Sequence, residues 1–148
     1  MPVSTVAIDD RVAICGQLQP RDMKDIAAAG YVAVVNNRPD GEALFGQPRT
    51  ADLKTAAEAA GLVFVDLPFS GPRATTDQVR ALADLLAERP GKVVAFCKSG
   101  MRSALLWGAA AIAQGRTADE VMAAAERAGQ NLEPVREIVV GLGQSARP

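Results

Sequence analysis

A thiol, a glycine and a guanidinium lie within six residues of one another in the segment Cys97-Lys98-Ser99-Gly100-Met101-Arg102-Ser103. That combination can hold an anion and attack it. The residues in front, Lys92-Val93-Val94-Ala95-Phe96, follow Pro90-Gly91 and are apolar from Val93 onward, which suits a buried strand. Those behind, Ser103 to Ala113, are mostly helix formers and include Trp107. Cys97 therefore ends a strand, Arg102 opens a helix, and Lys98, Ser99, Gly100 and Met101 form the turn between them. In such a turn backbone N–H groups point inward and the helix N-terminus adds positive potential, so an anion is held and a nearby thiol is driven toward thiolate. The plainer alternative is an inert interior cysteine. Arg102 weighs against it, because a cation at a helix N-terminus opposes the macrodipole unless an anion or thiolate sits beside it.

The 148 residues contain no histidine. Ser-His-Asp and Cys-His catalysis are thereby excluded, as are zinc sites built on imidazole. A catalytic thiol here must be activated by backbone dipoles, Arg or Lys. No metal and no cofactor are expected. The two cysteines, Cys15 and Cys97, make no disulfide framework, and the default reading is a reduced, cytoplasmic protein. A net charge of −1 points to neither nucleic acid nor an anionic membrane. No apolar run approaches the ~20 residues of a membrane span, and Met1 to Thr5 lack the pattern of a secretory signal.

Further candidates surround the thiol. Ser103 could hydrogen-bond the sulfur or simply begin a helix. Lys98 is a loop cation that could steer a substrate. Asp40 is a candidate acid, although Pro39-Asp40-Gly41 is also a plain turn. Asp66 lies in an apolar run, where it is either buried with a raised pKa, a second candidate acid, or hydrogen-bonded to loop backbone. Arg38 either faces the site or pairs with Glu42. Cys15 reads as a small buried hydrophobe and Trp107 as core.

The elements that must position these groups follow in order. Thr5 to Ile8 and Arg11 to Cys15 read as a hairpin turning at Asp9-Asp10. Pro20 opens a helix bearing Met23, Ile26 and Ala27 and stopped by Gly30. Tyr31 to Val35 is a buried strand that runs into the loop Asn36 to Glu42. Thr50 caps a helix with Leu53, Ala56, Ala57 and Ala60 on one face, and Leu62 to Leu67 is a third buried strand. Thr75 with Gln78 and Thr117 with Glu120 are capping boxes, and Asn131 caps a last helix. Alternating strands and helices predict one α/β domain over residues 1–148, with a mostly parallel central sheet covered by helices on both faces. In such sheets ligands sit beyond the carboxyl ends of the strands, here the loops Asn36 to Glu42, Pro68 to Ala74 and Cys97 to Arg102.

The chain resembles the phosphatase-like domain of beta-lactamase-hydrolase-like proteins, a bacterial branch of the dual-specificity phosphatase fold. The likeness rests on Gly16-Gln17, Asn37-Arg38-Pro39-Asp40-Gly41-Glu42, Gly46-Gln47-Pro48, Leu67-Pro68 and the Cys97 to Ser103 loop. It implies a tyrosine or dual-specificity phosphatase-like fold, with Cys97 as nucleophile, Arg102 gripping oxyanion oxygens in a planar fork, and Ser103 supporting the leaving thiolate. Three departures from the phosphatase pattern matter. Phe96 replaces the usual His, only four residues separate Cys97 from Arg102, and Pro68 to Ala74 offers no Asp as acid. The shorter Cys-x-x-Gly-x-Arg loop is similar to that of rhodanese-type sulfurtransferases, which hold a persulfide on the cysteine. Phosphomonoester hydrolysis is the first expectation, sulfur transfer the second, and a non-catalytic anion-binding module the third. All three imply a small anionic partner, either a phosphate ester or a sulfane-sulfur donor.

Overall fold

The computed structural model describes residues 3–148. Five strands form one sheet in the order β1-β2-β5-β3-β4. Their ranges are β1 Val6–Ala7, β2 Val12–Cys15, β3 Tyr31–Asn36, β4 Val63–Asp66 and β5 Lys92–Phe96. Only β1 runs antiparallel, joined to β2 by a turn in which the Asp9 carboxylate accepts from the N–H groups of Arg11 and Val12. The other neighbours are parallel, with β5 between β2 and β3. This is the mostly parallel α/β architecture expected from the sequence.

Strand alternation explains why both faces are covered. On β5, Val93 and Ala95 enter one apolar cluster while Val94 and Phe96 enter the other. The first cluster lies under α3 (Thr76–Glu88), α4 (Met101–Ala113), α5 (Ala118–Arg127) and α6 (Arg136–Ser145). The second lies under α1 (Met23–Ala28) and α2 (Thr50–Ala59). Helix α4 is buried nearly all round, including Trp107, whose indole N–H donates to Asp9 at 2.8 Å. It is the central helix of its layer, and its N-terminus is fixed against the sheet.

Several local expectations need correction. Strand β4 is half-buried, because it is the edge strand and has no sheet neighbour beyond it. Asp66 is exposed at its end, so the premise of a buried carboxyl fails. Thr50 is the first residue of α2 and does not cap it. The cap comes from Asp40, whose Oδ1 accepts from the Thr50 N–H at 2.9 Å and the Thr50 hydroxyl at 2.7 Å. Asn131 does not cap α6: its Oδ1 accepts from the Glu133 N–H at 3.1 Å, at the start of a 3₁₀ turn, Glu133–Val135, that leads into α6. The capping boxes at Thr75 and Thr117 are both formed.

Candidate active site

Register brings Phe96 between Cys15 of β2 and Asn36 of β3. Cys97, the next residue, leaves the sheet at its centre and at the carboxyl edge. Its side chain is 1% exposed, and its Sγ accepts a hydrogen bond from the Gly100 N–H at 3.0 Å. Burial acts to raise the pKa of this thiol. The backbone N–H groups of Ser103, Ser99, Gly100 and Arg102 outweigh that and hold it below the ordinary 9.0.

The turn keeps its N–H groups inward because its carbonyls are held outward. Lys98 O accepts from Gln17 N at 3.4 Å, Ser99 O from the Gln130 side chain at 3.1 Å, and Gly100 O from Ala104 N at 2.9 Å. Gly100 has φ +98°, a left-handed conformation that favours glycine. Gly16 is needed for close approach, since a Cβ there would lie 3.0 Å from Lys98 O. Lys98, Ser99 and Met101 are exposed around the cradle.

Arg102 is fixed by two partners. Its Nη1 and Nη2 donate to the two oxygens of Glu42 at 2.8 and 2.9 Å, and Nη1 also donates to Phe69 O at 3.1 Å. Arg38 reaches the same carboxylate from the other side, Nε to Oε1 at 2.9 Å, while its Nη1 donates to Gln17. Arg38 thus both pairs with Glu42 and lines the cavity beside the cradle. The hydrogen bond from Arg102, with help from Arg38, holds the Glu42 carboxyl down at about 2. The Glu42 hydrogen bond raises the Arg102 pKa, assisted by the charge of Cys97.

Ser103 takes a different part from the one the resemblance implied. Its backbone N–H favours the Cys97 thiolate, but its hydroxyl is turned to Asn37 Oδ1 at 2.8 Å. The direction of that bond is fixed, because the Asn37 amide nitrogen donates to Leu67 O at 3.0 Å and leaves Oδ1 as acceptor. The one hydroxyl proton is therefore engaged away from the sulfur.

Neither candidate acid is among the residues that line the cavity beside the cradle. Asp40 is held by Thr50, and Asp66 accepts from the Asn36 amide at 2.8 Å. The cavity, about 670 Å³, is lined on its polar side by Arg38, Glu42, Lys98, Arg102 and Asn131. Glu42 is the one carboxylate among its described lining residues, and it is locked in the ionised form. Cys15 is buried, and burial first, then the charge of Cys97, pushes its thiol up to about 12, so it is no second nucleophile.

Sequence reasoning missed Glu42 as a brace for Arg102, Asn37 as the partner of Ser103, and Gln130 as an anchor of the turn. The first two lie inside the Asn37 to Glu42 block, a dense polar loop whose partners are distant in sequence. Gln130 carried no local signal.

Comparison with known proteins places this geometry. A family model for the phosphatase-like domain of beta-lactamase hydrolase-like protein matches residues 5–117. A beta-lactamase hydrolase-like protein of Agrobacterium fabrum is 39% identical over 105 residues, which are 71% of this chain and 24% of the relative. The Xylella fastidiosa Temecula1 protein of the same description is 34% identical over 128 residues, 86% of this chain and 30% of the relative. The chain thus spans less than a third of the length of these relatives. The solved structure of a presumed phosphatase from Neisseria meningitidis Z2491 superposes with a TM-score of 0.79 at 33% identity, covering 93% of this chain and 96% of that one. The cradle, the paired Arg38 and Arg102, and the match over residues 5–117 lead to one assignment: the chain belongs to the family of phosphatase-like domains of beta-lactamase hydrolase-like proteins.

Proposed function

We propose that residues 1–148 act as a single, cytoplasmic phosphatase-like domain that hydrolyses phosphomonoesters through a cysteinyl-phosphate on Cys97. The observation behind this is a buried thiol held toward thiolate by convergent N–H groups and faced by Arg102. The thiolate attacks phosphorus, the S–P bond forms, and the P–O bond breaks with its electron pair leaving on the ester oxygen. Arg102 and the turn N–H groups hold the equatorial oxygens as charge shifts among them. Water then attacks phosphorus, the S–P bond breaks, its electrons return to sulfur, and inorganic phosphate departs. Met101, Ser99 and Gly100 shape the seat, and Lys98 attracts the dianion at its rim. Among the described residues no protonated carboxyl lines the cavity to serve the leaving oxygen, so activated esters should turn over and alkyl esters barely, by the ~10²–10⁴-fold that general acids supply.

Two features favour a second reading, sulfur transfer through a Cys97 persulfide. The four-residue spacing between Cys97 and Arg102 and, among the described residues, the lack of a free acid lining the cavity suit a reaction that needs neither a longer cradle nor a proton. A non-catalytic anion module would need no ionised thiol, and the environment of Cys97 argues against it.

The experiment is mass spectrometry of Cys97 after rapid acid quench with p-nitrophenyl phosphate, and separately after incubation with thiosulfate. A phosphoryl adduct with p-nitrophenolate release supports hydrolysis. A sulfur adduct alone replaces it with sulfur transfer. Full turnover in Cys97→Ser excludes covalent catalysis here.

A further inference from the structure

Strand order puts β5 between β2 and β3, so the chain leaving each of those neighbours passes beside the Cys97 turn. Phe96 is level with Cys15 on one side and with Asn36 on the other. Gln17 and Arg38, just beyond those strand ends, therefore stand on opposite flanks of the cradle. They meet across it, with Arg38 Nη1 donating to Gln17 Oε1 at 3.0 Å.

The direction of this contact is fixed. Gln17 Nε2 donates to Leu18 O at 2.8 Å, which leaves Oε1 as the acceptor for a guanidinium that can only donate. Arg38 is 6% exposed, and a buried cation depends on the acceptors that reach it. Among the described residues its side chain has two, Gln17 and Glu42. The Glu42 carboxylate in turn holds both terminal nitrogens of Arg102. One continuous chain of hydrogen bonds thus runs from Gln17 through Arg38 and Glu42 to the guanidinium that faces the anion seat. The main chain of Gln17 acts on the other half of the site. Its N–H holds Lys98 O outward at 3.4 Å, and in a trans peptide the Ser99 N–H then points the opposite way, toward the thiol it stabilises.

We infer that Gln17 is a positioning residue: its side chain sets the orientation of Arg102 through Arg38 and Glu42, while its main chain sets the turn around Cys97. The two arms are separable, because every substitution except proline keeps the N–H and only the side chain carries the acceptor. The inference rests on the phosphatase reading above for the identity of the anion, and phosphate binding measures it without turnover.

The test is calorimetric titration of inorganic phosphate into native protein, Gln17→Met, Arg38→Met and the double variant. Methionine keeps the length of the side chain and offers the guanidinium no strong acceptor. Gln17→Met should bind phosphate about three- to tenfold more weakly, because a charge-assisted hydrogen bond is lost and part of that loss reaches Arg102. In the Arg38→Met background the same substitution should change affinity by less than about twofold, because the chain is already cut. The pH midpoint of Cys97 alkylation should be the same in Gln17→Met as in the native protein. Equal phosphate affinity in native and Gln17→Met protein, or additive losses in the double variant, would overturn the inference. So would a midpoint that rises along with the affinity loss, since it would show a general collapse of the turn. Should Gln17→Met not fold, Gln17→Ala removes the same acceptor; should Arg38→Met not fold, Glu42→Gln cuts the chain one link further on. The expected phosphate affinities with no p-nitrophenyl phosphate hydrolysis by the native protein would sink the phosphatase reading and leave Gln17 in its role. Hydrolysis with phosphate affinity unchanged in Gln17→Met would sink the role of Gln17 alone. No phosphate binding by the native protein would overturn both.

Discussion

Glu42→Gln keeps the shape of the side chain and removes its charge, so it isolates what the carboxylate does for Arg102. The carboxyl is moved from 4.5 to about 2, first by the Arg102 hydrogen bond and then by Arg38. That difference corresponds to at most ~3.4 kcal/mol at 1.36 kcal/mol per unit. The Glu42 side chain is 28% exposed, so solvent and salt screen the pair, and about 1–2 kcal/mol is a fairer figure. A depressed carboxyl contributes fully above its unfolded value and loses that contribution as pH falls through the folded one. Native protein should therefore be about 1–2 kcal/mol more stable than Glu42→Gln at pH 7, with the gap closing between pH 4.5 and 2. Denaturant melts at pH 7 and pH 3 read this directly. Without its bidentate partner, Arg102 keeps only Phe69 O and loses its fixed orientation. Turnover of an aryl phosphate should then fall roughly 5–30-fold in kcat/KM, the same energy expressed as rate. A gap that is equal at both pH values would refute the electrostatic account. Tighter inorganic phosphate binding by the variant would refute the bracing role, because it would show that Glu42 occupies the anion seat.

Three further outcomes follow from the site. Iodoacetamide should modify Cys97 with a pH midpoint below 9.0, since the turn N–H groups stabilise thiolate; a midpoint at or above 9.0 would remove the basis for nucleophilic chemistry. Ser103→Ala should cost about 1–3 kcal/mol of stability by orphaning the buried Asn37 Oδ1, yet move the alkylation midpoint little; a large upward move would show that the hydroxyl serves the sulfur after all. Arg102→Lys should recover little of the anion affinity lost in Arg102→Ala, measured with inorganic phosphate, because an ammonium cannot pair bidentately with Glu42 and still present a donor edge to the cradle.

How much of this site the sequence disclosed depended on the range of each contact. Cys97 to Ser103 is read from neighbours alone: an apolar run, a glycine, a run of helix formers. The fold follows from the same local alternation. Turn chemistry at Asp40 and strand burial at Asp66 say nothing of the partner. Thr50 lies ten positions from Asp40 and engages its carboxylate, and the edge place of β4 exposes Asp66. Glu42 stood in plain view, but its partner Arg102 is sixty positions away. The Ser103 hydroxyl was ambiguous until Asn37, sixty-six positions distant, fixed its direction. Gln130 reaches Ser99 only because α5 and α6 fold back beside the turn.

The missing histidine acquires a physical meaning from this arrangement. Every group shown to favour the Cys97 thiolate is a backbone N–H of the turn, backed by the nearby guanidinium of Arg102. The brace on that guanidinium has its carboxyl held near 2, and the guanidinium itself is pushed further upward. None of them changes charge near neutrality. An imidazole beside the thiol would add a second titration there and couple it to the first. With Phe96 in that position and 0% exposed, the pH dependence of nucleophilic attack should be a single ionisation of Cys97, modulated only by that of the substrate. A bell-shaped dependence of kcat/KM with a substrate that does not titrate in the range would require another ionising group in contact with the sulfur, and the cradle contains none among its described residues.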